Sequence, residues 1–134
     1  MIPSVNNILN ADLEVSTQPS KTYKMAIGSN YINGTCNNLD AVKQSIYKIL
    51  NTERYRYLIY SWNYGVELDD LIGEPMSYVC SEIQRRITEA LLQDDRIESV
   101  SGFEFNKTVK HELVCTFVVH TIFGDTAEER VVNV

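Results

Sequence analysis

The side chains best placed to do chemistry lie between Glu53 and Asp70. Glu53, Glu67 and Asp69 flank a run of five aromatic residues, Tyr55, Tyr57, Tyr60, Trp62 and Tyr64, which Gly65 closes. Retaining and inverting glycosidases need two carboxyl groups about 5 Å or about 6.5–9.5 Å apart. Glu53 with Glu67 or Asp69 would be such a pair, and the aromatic faces would stack on a sugar. The other reading pairs Glu53 with an arginine and leaves Glu67, Asp69 and Asp70 solvated. The aromatic residues would then form a small core that packs the loop between two helices, or a contact surface. Tyr and Trp suit both, because they bury a large area and keep a polar handle.

The rest of the chain favours the non-catalytic reading. It has no glycine-rich phosphate loop, no GxSxG and no HExxH. His111 and His120 are nine residues apart in one strand-like segment. A regular strand sends them to opposite faces, so they do not converge on a metal. Cys36, Cys80 and Cys115 are widely spaced and lack CxxC spacing, which predicts reduced, mostly buried thiols and a reducing compartment at folding. No catalytic residue, cofactor or metal is expected. Thr52, Glu53 and Arg54 form a polar cluster at the end of a predicted helix. A buried Glu–Arg pair there would fix the joint, because a guanidinium meets a carboxylate in a planar fork.

Charge narrows the partners. The formal net charge is -6, and an acidic surface repels phosphate unless a strong basic patch is present. The densest basic groups are Arg54 with Arg56, and Arg85 with Arg86, too small for a nucleic-acid footprint. No apolar run approaches the roughly 20 residues that span a bilayer. The first ten residues lack the basic and apolar regions of a secretory signal. Neither nucleic acid nor membrane is an expected partner.

The elements that would position these groups follow from periodicity. Residues 1–20 read as an irregular arm punctuated by Pro3 and Pro19, and residues 21–134 as one domain. Residues 21–27 and 31–34 around Gly28-Ser29-Asn30 predict a hairpin. Leu39, Val42, Ile46, Ile49 and Leu50 mark one face of a helix that starts at Asn37 or Asn38 and ends near Asn51. A short turn is predicted over 68–72. Pro75 to Gln93 predicts a second helix about 28 Å long, with Met76, Val79, Cys80, Ile83, Ile87, Ala90 and Leu91 as its apolar stripe. Residues 96–105 and 111–123 then alternate as strands, with a bulge at Gly102. Both faces of the second strand are apolar, which predicts cover on both sides, by the helices and by a neighbouring subunit. A turn at Gly124-Asp125 leads to a short last strand over 129–134, a candidate sheet edge. The fold class is α+β, an antiparallel sheet packed on two main helices.

Residues 41–54, residues 57–68 and the Arg96-Ile97 step together resemble the baseplate wedge family of contractile tails. That family is sometimes labelled lysozyme-like for historical reasons, and its members are regarded as sheath initiators. The similarity runs from about Lys21 to the C-terminus and is strongest to variants in PBSX-type prophages and phage-tail bacteriocins. Where the family has Gly-Glu-Arg and Pro-x-Phe-Gly, this chain has Asn51-Thr52-Glu53-Arg54 and Trp62-Asn63-Tyr64-Gly65. The resemblance implies a structural protein, not an enzyme, with a fold similar to the strand-exchanging part of sheath subunits. It implies a place at the tube–baseplate junction of a virion or bacteriocin particle assembled in the bacterial cytoplasm. The chain would template the first sheath ring by β-augmentation. Implied partners are the sheath protein, wedge proteins and tail tube or hub proteins, with self-association when isolated. The implied contact residues are Glu53 and Arg54 at the joint, Tyr60, Trp62, Tyr64 and Gly65 in the loop, and Glu129, Arg130, Val131, Val132 and Val134 in the last strand.

Overall fold

A computed structural model describes residues 19–134. The arm expected over residues 1–20 lies outside the described residues but for its last two. The described chain runs β1 (Thr22–Met25), β2 (Ile32–Cys36), α1 (Asn38–Leu50), a 3-10 turn (Asp69–Leu71), α2 (Met76–Leu91), β3 (Ile97–Val109), β4 (Glu112–Thr121) and β5 (Gly124–Asn133). The three long strands form one antiparallel sheet in the order β3-β4-β5, and β1 and β2 form a separate antiparallel pair. The fold is α+β, as the periodicities require.

The helices form where caps and apolar stripes coincide. Asn37 is extended, and its side chain accepts from the Asn38 N–H at 2.8 Å. Asp40 in the first turn and Lys48 in the last both oppose the helix dipole. Val42, Ile46, Ile49 and Leu50 are buried along one face of α1, and Val79, Ile83, Ile87, Ala90 and Leu91 along one face of α2. Pro75 stands just before α2 as its cap and not inside its first turn.

These stripes meet the inner face of β4, where Leu113, Cys115, Phe117, Val119 and Thr121 are all buried. Phe103 and Phe105 of β3 share that side, and Phe103 stacks on Phe117 at 5.2 Å. The bulge at Gly102 is present: Gly102 has φ +67, and the β3–β4 register shifts between Ser101 and Glu104.

Two expectations about the last hairpin need correction. The last turn is Ile122-Phe123, two residues earlier than predicted, and Gly124 already pairs with Thr121. The Thr121 hydroxyl organises it by accepting from the Phe123 N–H at 3.1 Å and donating to the Gly124 carbonyl at 2.7 Å. Accordingly β5 has ten residues, not six. Asp125, Glu129 and Asn133 face solvent and hide the strand in the sequence. Within this chain the helices cover one side of β4. Val114, Thr116, Val118 and His120 on the other side are half-buried.

The β1–β2 pair hangs on one side chain. The Gln44 amide accepts from the Met25 N–H and donates to the Tyr23 carbonyl, both at 2.8 Å. Those are groups that a neighbouring strand would otherwise pair.

Candidate functional site

The joint after α1 is built from backbone outward. Thr52 and Asn51 turn their side chains back onto the carbonyls of Lys48 and Tyr47, each at 2.7 Å, which ends the helix. The chain then runs beside its own return: the Val66 N–H donates to the Thr52 carbonyl at 3.0 Å, and the Arg54 N–H donates to the Val66 carbonyl at 3.3 Å. This small parallel bridge clasps the two ends of the aromatic loop. Gly65 lets the clasp close. It has φ +92, and a Cβ there would lie 2.5 Å from the Thr52 carbonyl oxygen.

Glu53 and Arg54 do not pair with each other, contrary to the expected fork. Adjacent residues in an extended bridge point to opposite sides. The Glu53 carboxylate takes the N–H of Leu68 at 3.2 Å and of Asp69 at 3.4 Å, capping the 3-10 turn. Burial pushes its pKa up, and those two N–H groups offset part of the rise. Arg54 goes the other way. Its Nε donates to the Trp62 carbonyl at 3.1 Å, its Nη1 lies 3.5 Å from Glu89, and its guanidinium sits 5.5 Å from the Tyr55 ring centre.

A chain of alternating charges bolts the loop to α2. Glu89 also meets Arg85 at 3.2 Å, Arg85 meets Glu82 at 2.8 Å, and Glu82 meets Arg86 at 3.0 Å. Arg86 ends the chain on Asp70 and on the Glu67 carbonyl, the latter at 2.9 Å. Glu89, Arg85 and Asp70 are exposed, so the pairs that include them contribute little alone. The network's value is in fixing where the loop points.

The aromatic loop divides into a stack and a tip. Tyr60 stacks on Tyr64 at 4.5 Å, and Tyr57 meets Tyr60 edge-on at 6.1 Å. Tyr64 anchors this stack against the buried core. Beyond it, Leu58, Ile59 and Trp62 are 102 %, 86 % and 81 % exposed. The small-core reading of the aromatic run thus describes the Tyr57–Tyr60–Tyr64 stack, while the tip is exposed. The tip is an exposed apolar patch.

The last strand lies beside the joint. β5 pairs with β4 without a register break, and among the described residues no strand covers its other edge. Val134 donates to the His111 carbonyl at 2.9 Å, so alternation sends the N–H and C=O of Asn133, Val131 and Glu129 outward. Arg130 reaches across to Asn51 at 3.1 Å. Glu53, Leu68, Asp69 and Ile72 form one wall of a small cleft, and Arg130, Val131, Val132 and Asn133 form the other. The structure thus brings the Glu53 side of the joint and the end of β5 together. Trp62 and Tyr60 belong to the loop beyond the clasp.

The carboxylates do not form a glycosidase site. Glu53 is held by backbone N–H groups, Asp69 by Arg56 and Asp70 by Arg86. The expectation that the two aspartates are merely solvated is also corrected by these pairs. The cleft encloses about 50 Å³, far below the roughly 300 Å³ or more of a ligand pocket.

Cross-strand register makes one constellation that residue spacing does not reveal. Ser101 Oγ lies 2.7 Å from His120 Nε2, and His120 Nδ1 lies 2.9 Å from Asp125. The order is that of a serine hydrolase triad. The row lies on the open sheet face, however, with Ser101 and Asp125 exposed. Its contacts link β3, β4 and β5 across the open face. His111 sits apart in the β3–β4 turn. All three thiols are free, and burial with Cys80 nearby pushes the Cys115 thiol up to about 12.

Residues 19–124 match the family described as contractile injection system sheath initiator. The chain belongs to that family. This sheath initiator is also similar to the phage-like element PBSX protein XkdS of Bacillus subtilis (strain 168), at 40% identity over 129 residues covering 91% of each chain. The family match takes in the clasp, the aromatic loop and every element up to the turn before β5. A structural family agrees with a site in which the carboxylates of Glu53, Asp69 and Asp70 serve as braces. No helix of the described sheath initiator is long and apolar enough to cross a membrane.

Proposed function

We propose that this sheath initiator joins the wedge and tube end of a contractile tail to the first sheath ring, and templates that ring by accepting a sheath strand on β5. The observation that carries the reading is the meeting of the joint with an unpaired strand edge. The outward N–H and C=O groups of β5 supply the main-chain bonds that strand addition uses. This edge would be of the kind that sheath subunits offer one another. The exposed Leu58, Ile59 and Trp62 would seat on a wedge or hub protein, with Arg54 and the charge chain holding their direction. The reading puts the chain in the baseplate of a phage-type or bacteriocin particle. The same edge and tip would drive self-association of the isolated chain.

Removing β5 would not test this, because Val132 and Thr126 belong to the buried interior. Val131→Pro does. The Val131 N–H points outward, so proline there costs no β4–β5 bond and blocks an incoming strand. Electron microscopy of tails assembled with this variant should find tubes with baseplates and no sheath nucleated on them. Normal sheaths on a folded Val131→Pro chain would sink the proposal.

A further inference from the structure

The face of the sheet turned away from the helices has an order that register reveals. Glu104 of β3, Thr116 of β4 and Glu129 of β5 stand abreast in one row. Val118 and Ala127 lie on one side of that row, and Val114 and Val131 on the other. Two strand spacings of about 4.8 Å put the glutamates roughly 10 Å apart, with the apolar stripe of β4 running between them. Both glutamates are exposed, and no ion pair among the described residues holds either. The cations of these strands lie elsewhere: Arg130 is turned to the inner side, and Lys107 and Lys110 stand near the β3–β4 turn. The stripe is thus flanked by negative charge on both sides.

We propose that this face receives a helix of another tail protein, laid along β4, with apolar residues on Val114 and Val118 and a lysine or arginine on each flank reaching Glu104 and Glu129. The dimensions agree. A helix with its side chains is about 10–12 Å across, which matches the gap between the glutamates. Val114 to Val118 spans about 14 Å, or about two and a half helical turns. The inner side of the same strand already takes the apolar stripes of helices. Charge selects among occupants. A second copy of this chain would set glutamates against glutamates. Residues 1–18 carry Asp12 and Glu14 and no lysine or arginine, so the chain's own arm lacks the charges as well. Complementary charge favours the right partner and rejects these. The proposal uses the face of the sheet and not its edge, so it does not depend on β5 accepting a strand.

The test places a photoreactive residue at Thr116 of the full chain in purified, assembled tails. The peptide captured should come from another protein and carry apolar residues at i, i+3 or i+4, and i+7, with lysine or arginine on both flanks of that stripe. Glu104→Lys with Glu129→Lys turns two attractions into repulsions and should lower the cross-link yield per incorporated chain about tenfold. Glu104→Gln with Glu129→Gln only removes the attractions and should lower it about threefold. All four substitutions are at exposed positions, so Tm should stay within about 2 °C in both variants. Capture of this chain's own sequence, or of an acidic or extended segment, would overturn the proposal. So would the absence of any capture from tails that contain the chain, and so would an unchanged yield in the double-lysine variant. Each of these failures leaves the β5 reading standing, because Val131→Pro tests that edge separately.

Discussion

Replacing Gly65 by alanine tests how the clasp is made. Two costs add. The residue sits at φ +92, where an L side chain is strained by roughly 1–2 kcal/mol. The new Cβ would also meet the Thr52 carbonyl oxygen at 2.5 Å and the Arg54 nitrogen at 3.2 Å. Those atoms belong to backbone held in the bridge and have no flexible end to swing away. Relief requires the clasp to open, which sacrifices the two hydrogen bonds between Thr52, Arg54 and Val66 at about 1 kcal/mol each. The expected loss is about 3 kcal/mol, a large part of the roughly 5–15 kcal/mol that holds a domain together. For a chain of this size that is a fall in Tm of roughly 10 °C. Gly73→Ala is the control. Its φ is +85, yet a Cβ there meets nothing within 4 Å, so it should lose about 1 kcal/mol. Thermal unfolding of both variants separates strain from collision. Equal losses at the two positions would refute the collision and the clasp with it.

Three further outcomes follow from named contacts. Gln44→Ala removes both bonds that hold β1, so the β1–β2 amides should exchange almost freely while β4 amides keep their protection; a lone two-stranded pair is marginal in water. Burial works against ionisation of Asp94, but bonds from Arg96 and Ser45 outweigh it and lower its pKa. That stability is present above the usual carboxylate pKa and lost as pH falls through the folded value. Asp94→Asn should thus cost about 2 kcal/mol at pH 7, and denaturant titrations should find the gap to the parent chain closing as pH falls below the usual carboxylate range. Leu58→Ser with Trp62→Ser should leave Tm within about 2 °C, since both side chains are exposed, and should abolish incorporation into baseplates; full incorporation would remove the loop tip as a docking surface.

The sequence carried the elements better than the contacts between them. Apolar spacing of three and four residues marked both helices, because tertiary burial and helical period coincide there. β4 announced itself by alternation and β-branched residues. β5 was half hidden, because a strand with one solvated face and Glu, Arg and Asn along it reads as a loop. The importance of Glu53, Arg54 and Gly65 was legible through the resemblance, but their roles were not. That Glu53 caps backbone N–H groups while Arg54 braces the loop depends on which way two neighbouring side chains leave an extended bridge. The cleft against β5, and the row from Ser101 to Asp125, depend on cross-strand register over long separations, which spacing along one chain does not encode.

The most direct test of the central claim is a contact map of β5 in assembled tails. A photoreactive residue in place of Glu129, with another in place of Asn133, flanks Val131 on the open edge. In assembled tails both positions should cross-link to the sheath subunit, and the sheath peptide captured should be an extended segment. Cross-links from both positions to wedge or tube proteins, with none to sheath, would contradict the account.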